Sequence, residues 1–224
     1  MASLDERDET PYFRFDPESV NTYGLEWEWK WALDEISEKL QPMIKRFNEP
    51  EMRFTLENSA LSVLPFETVN QRCRKIVGSD KNKNLFACNT QDRMRPEDDD
   101  PCVSFMKPQS TTYLSENWGS PYIYEAMLHE LSHQAITTVG QMALKNHRRR
   151  RDVFIPSLSD SAFDAFNCRL KNLNQELDAN DSAWVNAANQ IGIKRKFDVF
   201  PGLDSAISDY FFHIDNRDSG GSND

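Results

Sequence analysis

The 224-residue chain is long enough to bury one catalytic-sized core, and its 28% charged and 11% aromatic residues are typical of a folded protein rather than a disordered one. A net charge of −10 argues against nucleic acid as a partner, because an acidic surface repels phosphate groups, and it weakly favours basic ligands. The chain holds no run of about 18 apolar residues, so we expect no membrane span.

The N-terminal half predicts an arm, a helix and a small sheet. We expect residues 1–20 to form a flexible arm. Residues 26–47 predict an amphipathic helix, because Trp27, Trp31 and later apolar residues recur at near-helical spacing, with Pro42 bending or ending the helix. We interpret the tryptophans at its start as packing anchors rather than as a stacking platform. The short runs that follow predict a small, twisted antiparallel sheet: "MRFTL", "ALSVLPF", "KIVG", "NLFACN" and "PCVSFM".

The C-terminal half is predicted to be mostly helical. Residues 115–146 give the strongest helix signal, and two further helices are predicted over residues 160–177 and 180–192. We expect residues 215–224 to form a disordered tail. Residues 21–214 then make a single domain of α+β class.

The stretch "MLHELSHQA" lies inside the strongest of these helices and matches the HExxH pattern of zinc hydrolases. His129 and His133 are four residues apart, so they project from one helix face and can hold one Zn²⁺. Glu130 is offset from them, where it can act as the general base toward a zinc-bound water. The motif predicts a zincin-like fold, with the small sheet preceding the helix that carries the histidines.

A catalytic zinc site needs a third protein ligand. The long zincin pattern HExxHxxGxxH is excluded, because Ile136 and Val139 stand where it requires glycine and histidine. The residues alone leave five candidates open: Asp152, Asp160, Asp164, Glu176 and His147.

The histidines also need partners for their second ring nitrogen, because a ligating imidazole donates its other N–H to a carboxylate or carbonyl. Candidates for this role are Asp164, Asp178 and Asp181. Asp181 precedes Ser182 at the expected start of a helix, so we favour helix capping for it.

The stretch "DSAFDAFNCRL", which begins at Asp160, and the later "LDANDSAWVNAANQ" resemble the second half of the fungal deuterolysin-like, or aspzincin, zinc metallopeptidases and the related lysine-specific metallo-endopeptidase-like domains. In that family an HExxH helix is followed by a Gly-Thr-x-Asp segment and two further helices. The resemblance covers about residues 120–190. It implies His129, His133 and Asp160 as zinc ligands and Glu130 as the base.

The chain departs from the family pattern next to the expected third ligand. "Ser-Leu-Ser" replaces the Gly-Thr-x run, Phe163 stands where the family has a tyrosine that supports the substrate carbonyl, and Asp164 replaces a glycine. By the resemblance, Phe163 and Asp164 belong to the substrate-binding region. Loss of the tyrosine hydroxyl near a developing oxyanion is expected to lower the rate by roughly 10²-fold or more.

Four cysteines without a CxxC pair permit two disulfides. Together with a glycosylation sequon at Asn180, they favour a secreted protein from which a signal peptide has been removed. A cytosolic protein is the alternative, because the N-terminus lacks the basic and apolar blocks of a signal peptide.

The motif and the resemblance together predict a secreted, monomeric zinc metalloendopeptidase. Its substrates are expected to be proteins or peptides, with basic or lysine-containing ones suggested by the family and by the acidity of the chain. The alternative is a non-catalytic secreted zinc-binding or host-interaction protein, an effector or antigen, on the same scaffold. Retention of Glu130 favours the enzyme, because a zinc carrier has no use for a base beside its ligands.

Overall fold

A computed structural model describes residues 14–16, 19, 21–47, 59–77, 84–94, 105–116, 123–151, 156–187 and 197–218. This part of the chain is α+β, as predicted; it is mostly helical and has one small sheet. The strands are β1 (Arg14–Phe15), β2 (Ser59–Leu64), β3 (Ala87–Met94) and β4 (Phe105–Ser115). The helices are α1 (Glu26–Arg46), α2 (Phe66–Val77), α3 (Ile123–Arg151), α4 (Pro156–Ala187) and α5 (Phe200–Asp218).

The sheet has the strand order β1-β2-β4-β3 and is mixed, so the prediction of an antiparallel sheet is wrong. β2 runs parallel to β4, with Ser59 opposite Ser110, and only β3 and β4 pair antiparallel. The chain leaves β2 through α2, whose last three residues were expected in a strand, and reaches β3 two positions away in the sheet. β4 then returns from β3 into the gap, and this places it parallel to β2.

Helix α1 lies where it was expected and continues past Pro42 to Arg46. Its buried face agrees with the predicted one at the later apolar residues and differs from it at the tryptophans. Trp29 is fully buried, whereas Trp27 and Trp31 are exposed. The interpretation as packing anchors therefore holds for Trp29 and is wrong for the other two tryptophans.

The C-terminal half is mostly helical, as predicted, but its helices have different bounds. α4 is one helix through residues expected to form two, so no helix begins at Asp181 and the capping role assigned to it is wrong. α5 was not predicted, and it extends to Asp218, beyond the expected start of the tail.

Arg14 and Phe15, inside the expected arm, pair with β2. None of the described helices is long and apolar enough to cross a membrane.

Helix α3 occupies the centre of the described fold. It packs against β3 and β4 of the sheet and against α1 and α4. Because it is covered from several sides, its apolar residues are buried around much of its circumference, among them Met127, Leu131 and Ile136.

A buried polar contact fixes α3 to the sheet. Gln134 Oε1 accepts hydrogen bonds from Ser59 Oγ at 2.7 Å and from Ser110 Oγ at 2.6 Å. The two serines face each other across β2 and β4, and all three side chains are buried. A buried side-chain oxygen must find such partners, so this contact sets the rotation of α3 over the sheet.

Helices α3 and α4 pack side by side in opposite directions. Near the end of α3, the His147 ring stacks on Phe163 near the start of α4, with centroids 4.5 Å apart. About two turns closer to the middle of both helices, a Cβ on Gly140 would lie 3.0 Å from Leu170 Cδ1, so the helices approach closely there. This antiparallel packing decides which α4 residues can reach the histidine pair.

The prediction of a disulfide is confirmed. Cys73 of α2 is bonded to Cys88 of β3, at a sequence separation of 15. Cys168 of α4 is also disulfide-bonded, and no described cysteine is free. The Cys73–Cys88 bond ties α2 to the edge strand of the sheet.

Candidate metal centre

His129 and His133 converge on one side of α3. Their rings meet edge to face with centroids 4.8 Å apart, and their Nε2 atoms lie 3.2 Å apart. Two nitrogen ligands of a tetrahedral zinc ion, each about 2.05 Å from the metal, are separated by about 3.3 Å. The two imidazoles therefore already have the spacing that one zinc ion requires.

Asp178 of α4 places a carboxylate oxygen close to the histidine pair. Its Oδ1 lies 3.2 Å from His133 Nε2, and the ligand atoms of His129, His133 and Asp178 all lie within 4.8 Å of one another. Two imidazole nitrogens and one carboxylate oxygen form a donor set used by catalytic zinc sites, which keep a fourth position open. The Asp178 side chain is 66% exposed, so a rotamer change can shorten its distances to the histidines.

Asn174 holds His133 from the opposite edge of the ring. The Nδ1 of His133 lies 2.9 Å from Asn174 Oδ1, which can only accept a hydrogen bond, so Nδ1 carries the proton. In a neutral ring this leaves the lone pair on Nε2, which faces His129 and Asp178. Asn174 and Asp178 are four residues apart on α4, as the two histidines are on α3. A pair of polar residues on one helix therefore faces a pair on the other.

The charge of His133 is set by the carboxylates around it. Burial lowers the pKa of its imidazole, but the hydrogen bond to Asp178, the negative charges of Glu130 and Asp178, and the Asn174 contact outweigh burial and raise the pKa from 6.5 to about 9. The site thus attracts positive charge even without a metal. Glu130 contributes to this field from a buried position.

The position of Asp160 differs from that of Asp178. Both belong to α4, where Asp160 comes eighteen residues earlier, which corresponds to about 27 Å along the helix axis. The side chain of Asp160 lies outside the described residues, so its assignment as a ligand stays a prediction. Among the described residues, the carboxylate that meets the two histidines is Asp178.

The residues assigned to substrate binding do not lie beside the histidine pair in the described structure. Phe163 is buried and stacks on His147, which follows His133 on α3 by fourteen residues, or about 21 Å. Asp164, the next residue of α4, is exposed. Of the other ligand candidates, Glu176 is exposed on α4, and Asp152 lies outside the described residues.

Two residues of this site were not predicted in their present roles. The sequence indicated Asp178 only as a hydrogen-bond partner of a ligand, and it did not point to Asn174. Asn174 lies in a predicted helix and Asp178 directly follows its last residue, so their four-residue spacing was visible in the sequence. The missing information was the antiparallel packing of α3 and α4, which brings this part of α4 opposite His133.

The chain was compared with protein-family models, with curated proteins and with solved structures. None of the three comparisons gives a match. The case for a function therefore rests on the geometry of these residues and on the motif that they carry.

Proposed function

We propose that the chain is a zinc-dependent endopeptidase whose metal is held by His129, His133 and Asp178. The observation that carries the proposal is the 3.2 Å separation of the two Nε2 atoms, with a carboxylate oxygen at 3.2 Å from one of them. These two distances match a tetrahedral zinc site to within a few tenths of an ångström, and the remaining pair, His129 and Asp178, lies within 4.8 Å. A zinc ion bound there would supply a Lewis acid that polarises a peptide carbonyl.

Glu130 is the proposed general base. It follows His129 directly and its charge acts on His133, so its carboxylate lies close to the ligands although it is not among the three groups that converge. Its burial keeps bulk water from competing for its oxygens, and a carboxylate in such a place can take a proton from the attacking water and pass it to the leaving amine.

The geometry and the family resemblance point to different residues as the third ligand. The resemblance to aspzincins implies Asp160, whereas the described packing of α3 and α4 supports Asp178. We propose Asp178, because the antiparallel packing of the helices gives it, and not an early residue of α4, access to His133. In this proposal the chain shares the histidine pair and the base with that family but completes its site with a different carboxylate.

The remaining parts of the proposal concern substrate and location. The net charge of −10 supports basic or lysine-containing protein substrates, since an acidic surface attracts them. Disulfides support an extracellular or otherwise oxidising location, because thiols are kept reduced in the cytosol.

The test compares zinc content and peptidase activity in four proteins: the wild type, His133→Ala, Glu130→Gln and, as a control, Glu176→Gln. Glu176 is an exposed acid on α4 near Asp178. We expect about one zinc per chain and cleavage of casein in the wild type and in the control. His133→Ala should lose both, and Glu130→Gln should keep zinc while losing activity.

The alternative, a non-catalytic zinc-binding protein, is favoured by one observation. Phe163, which stands where the resembling family has its carbonyl-supporting tyrosine, is packed in the core against His147. Equal inertness of wild type and Glu130→Gln, with zinc bound in both, would support this alternative. Absence of zinc from the wild type would exclude both functions.

A further inference from the structure

The solvent face of α1 combines exposed tryptophans with two acidic residues that form no ion pair within the described part of the chain. Trp27 and Trp31 are 63% and 57% exposed, and Asp34 and Glu38 continue the same face at spacings of three and four residues. We call these four residues the tryptophan face. The opposite side of α1 packs into the core through residues such as Trp29.

The exposure of the two tryptophans is unusual for this fold. Four large apolar side chains are exposed in the described part of the chain, and Trp27, Trp31 and neighbouring Tyr23 are three of them. Tryptophan and tyrosine are enriched where proteins bind other proteins, because they present a large rigid surface with a polar tip. Their concentration at one end of α1 therefore marks this face as an interaction surface.

The charge of the face selects the kind of partner. Asp34 and Glu38 form no ion pair with any described residue, so both carboxylates are available to a ligand. Lys30 makes a cation–π contact within α1, because its Nζ lies 5.7 Å from the ring centroid of Trp27. A guanidinium or ammonium group binds to a tryptophan ring in this way, and it gains more when a carboxylate lies one turn further along the helix.

We propose that the tryptophan face binds a basic segment of another protein, with arginine or lysine side chains stacked on Trp27 and Trp31 and paired with Asp34 and Glu38. From Trp27 to Glu38 the face is about 16 Å long, which accommodates about five residues of an extended segment. This inference does not rest on the proposed zinc site, which lies on α3 and α4.

The test uses a ten-residue peptide of alternating arginine and glycine as the probe, with binding followed by tryptophan fluorescence and by calorimetry at low salt. We expect saturable binding of one peptide that weakens with added salt. Trp27→Ala/Trp31→Ala and Asp34→Asn/Glu38→Gln should each weaken it at least tenfold. Phe212→Ala is the matched control, because Phe212 is a 63% exposed aromatic residue on α5, and it should bind as the wild type does.

Several results would overturn the proposal. Wild-type affinity in either double variant, or an equal loss in Phe212→Ala, would mean that the acidity of the whole chain attracts the peptide. Equal binding of a glutamate-glycine peptide would exclude charge selection. A dimer of the wild type that Trp27→Ala/Trp31→Ala converts to a monomer would make a second copy of the chain the occupant. Loss of binding in Asp178→Asn would place the peptide at the metal centre instead of on the tryptophan face.

Discussion

His133 and Asn174 are joined by a hydrogen bond of 2.9 Å between Nδ1 and Oδ1, on the edge of the imidazole opposite the Nε2 that faces His129 and Asp178. The contact crosses from α3 to α4, so the packing of two helices determines which nitrogen of His133 can bind a metal. Such partners orient ligating histidines and raise their basicity.

The first prediction concerns this contact. Asn174→Leu removes the acceptor, so we expect the zinc affinity to fall about 10–100-fold. In the metal-free protein at pH 10, long-range ¹H–¹⁵N spectra of His133 should show the proton on Nδ1 in the wild type and on Nε2 in Asn174→Leu. Asn174→Asp keeps an acceptor and should retain the wild-type tautomer. An unchanged tautomer in Asn174→Leu would show that Asn174 does not position His133.

The second prediction decides the third ligand. Asp178→Asn should weaken zinc binding by more than the 10–100-fold that the loss of a hydrogen-bond partner of a ligand costs, because a metal-ligand bond itself is lost. Asp160→Asn should bind zinc as the wild type does. Competition with a fluorescent chelator measures both affinities. The reverse order would restore the ligand set that the aspzincin resemblance implies.

The third prediction concerns pH. The pKa of His133 is about 9 in the metal-free protein, so zinc must displace a proton from it at neutral pH. We expect the apparent zinc affinity to rise about tenfold per pH unit between pH 7 and 8.5 through this one group. Calorimetry in buffers of different ionisation enthalpy should show at least one proton released per zinc at pH 7.5. A constant affinity over this range would contradict the charge assigned to His133.

The same pKa has a consequence for the stability of the metal-free protein. Because the folded-state pKa is raised, the contribution of His133 to the free energy of unfolding is fully present below pH 6.5 and is lost as the pH rises through 9. Urea unfolding of metal-free wild type and His133→Ala should therefore show a stability difference that becomes less favourable to the wild type over that range.

The fourth prediction concerns the contact between α3 and the sheet. Gln134→Leu leaves the buried hydroxyls of Ser59 and Ser110 without their acceptor, so we expect the free energy of unfolding to fall by about 2–4 kcal/mol. Ser110→Ala keeps the contact between Ser59 and Gln134 and should cost less. Urea unfolding of zinc-loaded protein measures both, and a loss below about 0.5 kcal/mol in Gln134→Leu would mean that the contact does not hold the helix.

The part of the site predicted from the sequence is the part encoded locally. His129, Glu130 and His133 lie within five residues of one helix, and helical geometry alone fixes their relative positions. Asp178 and Asn174 reach them only through the packing of α4 on α3, a non-local relationship. A resemblance in local pattern directed attention to Asp160 instead, whose backbone lies far along the same helix.

The fold was predicted to a similar extent. The α+β class and helix α1 followed from the spacing of apolar residues, because an amphipathic pattern indicates which side of a helix is buried. The pattern did not show that Trp27 and Trp31 face solvent, since tryptophan is apolar in either place. Nor did it show the mixed sheet, because the pairing of β2 with β4 depends on the order in which the strands are placed, which short apolar runs do not encode.

The central claim, one zinc ion held by two imidazoles of α3 and one carboxylate of α4, is tested most directly by a crystal structure of the zinc-loaded protein with an anomalous difference map at the zinc edge. We predict one strong peak about 2.1 Å from the Nε2 atoms of His129 and His133 and from an oxygen of Asp178. A map without a peak between the two histidines, or with Asp160 in place of Asp178, would contradict the account.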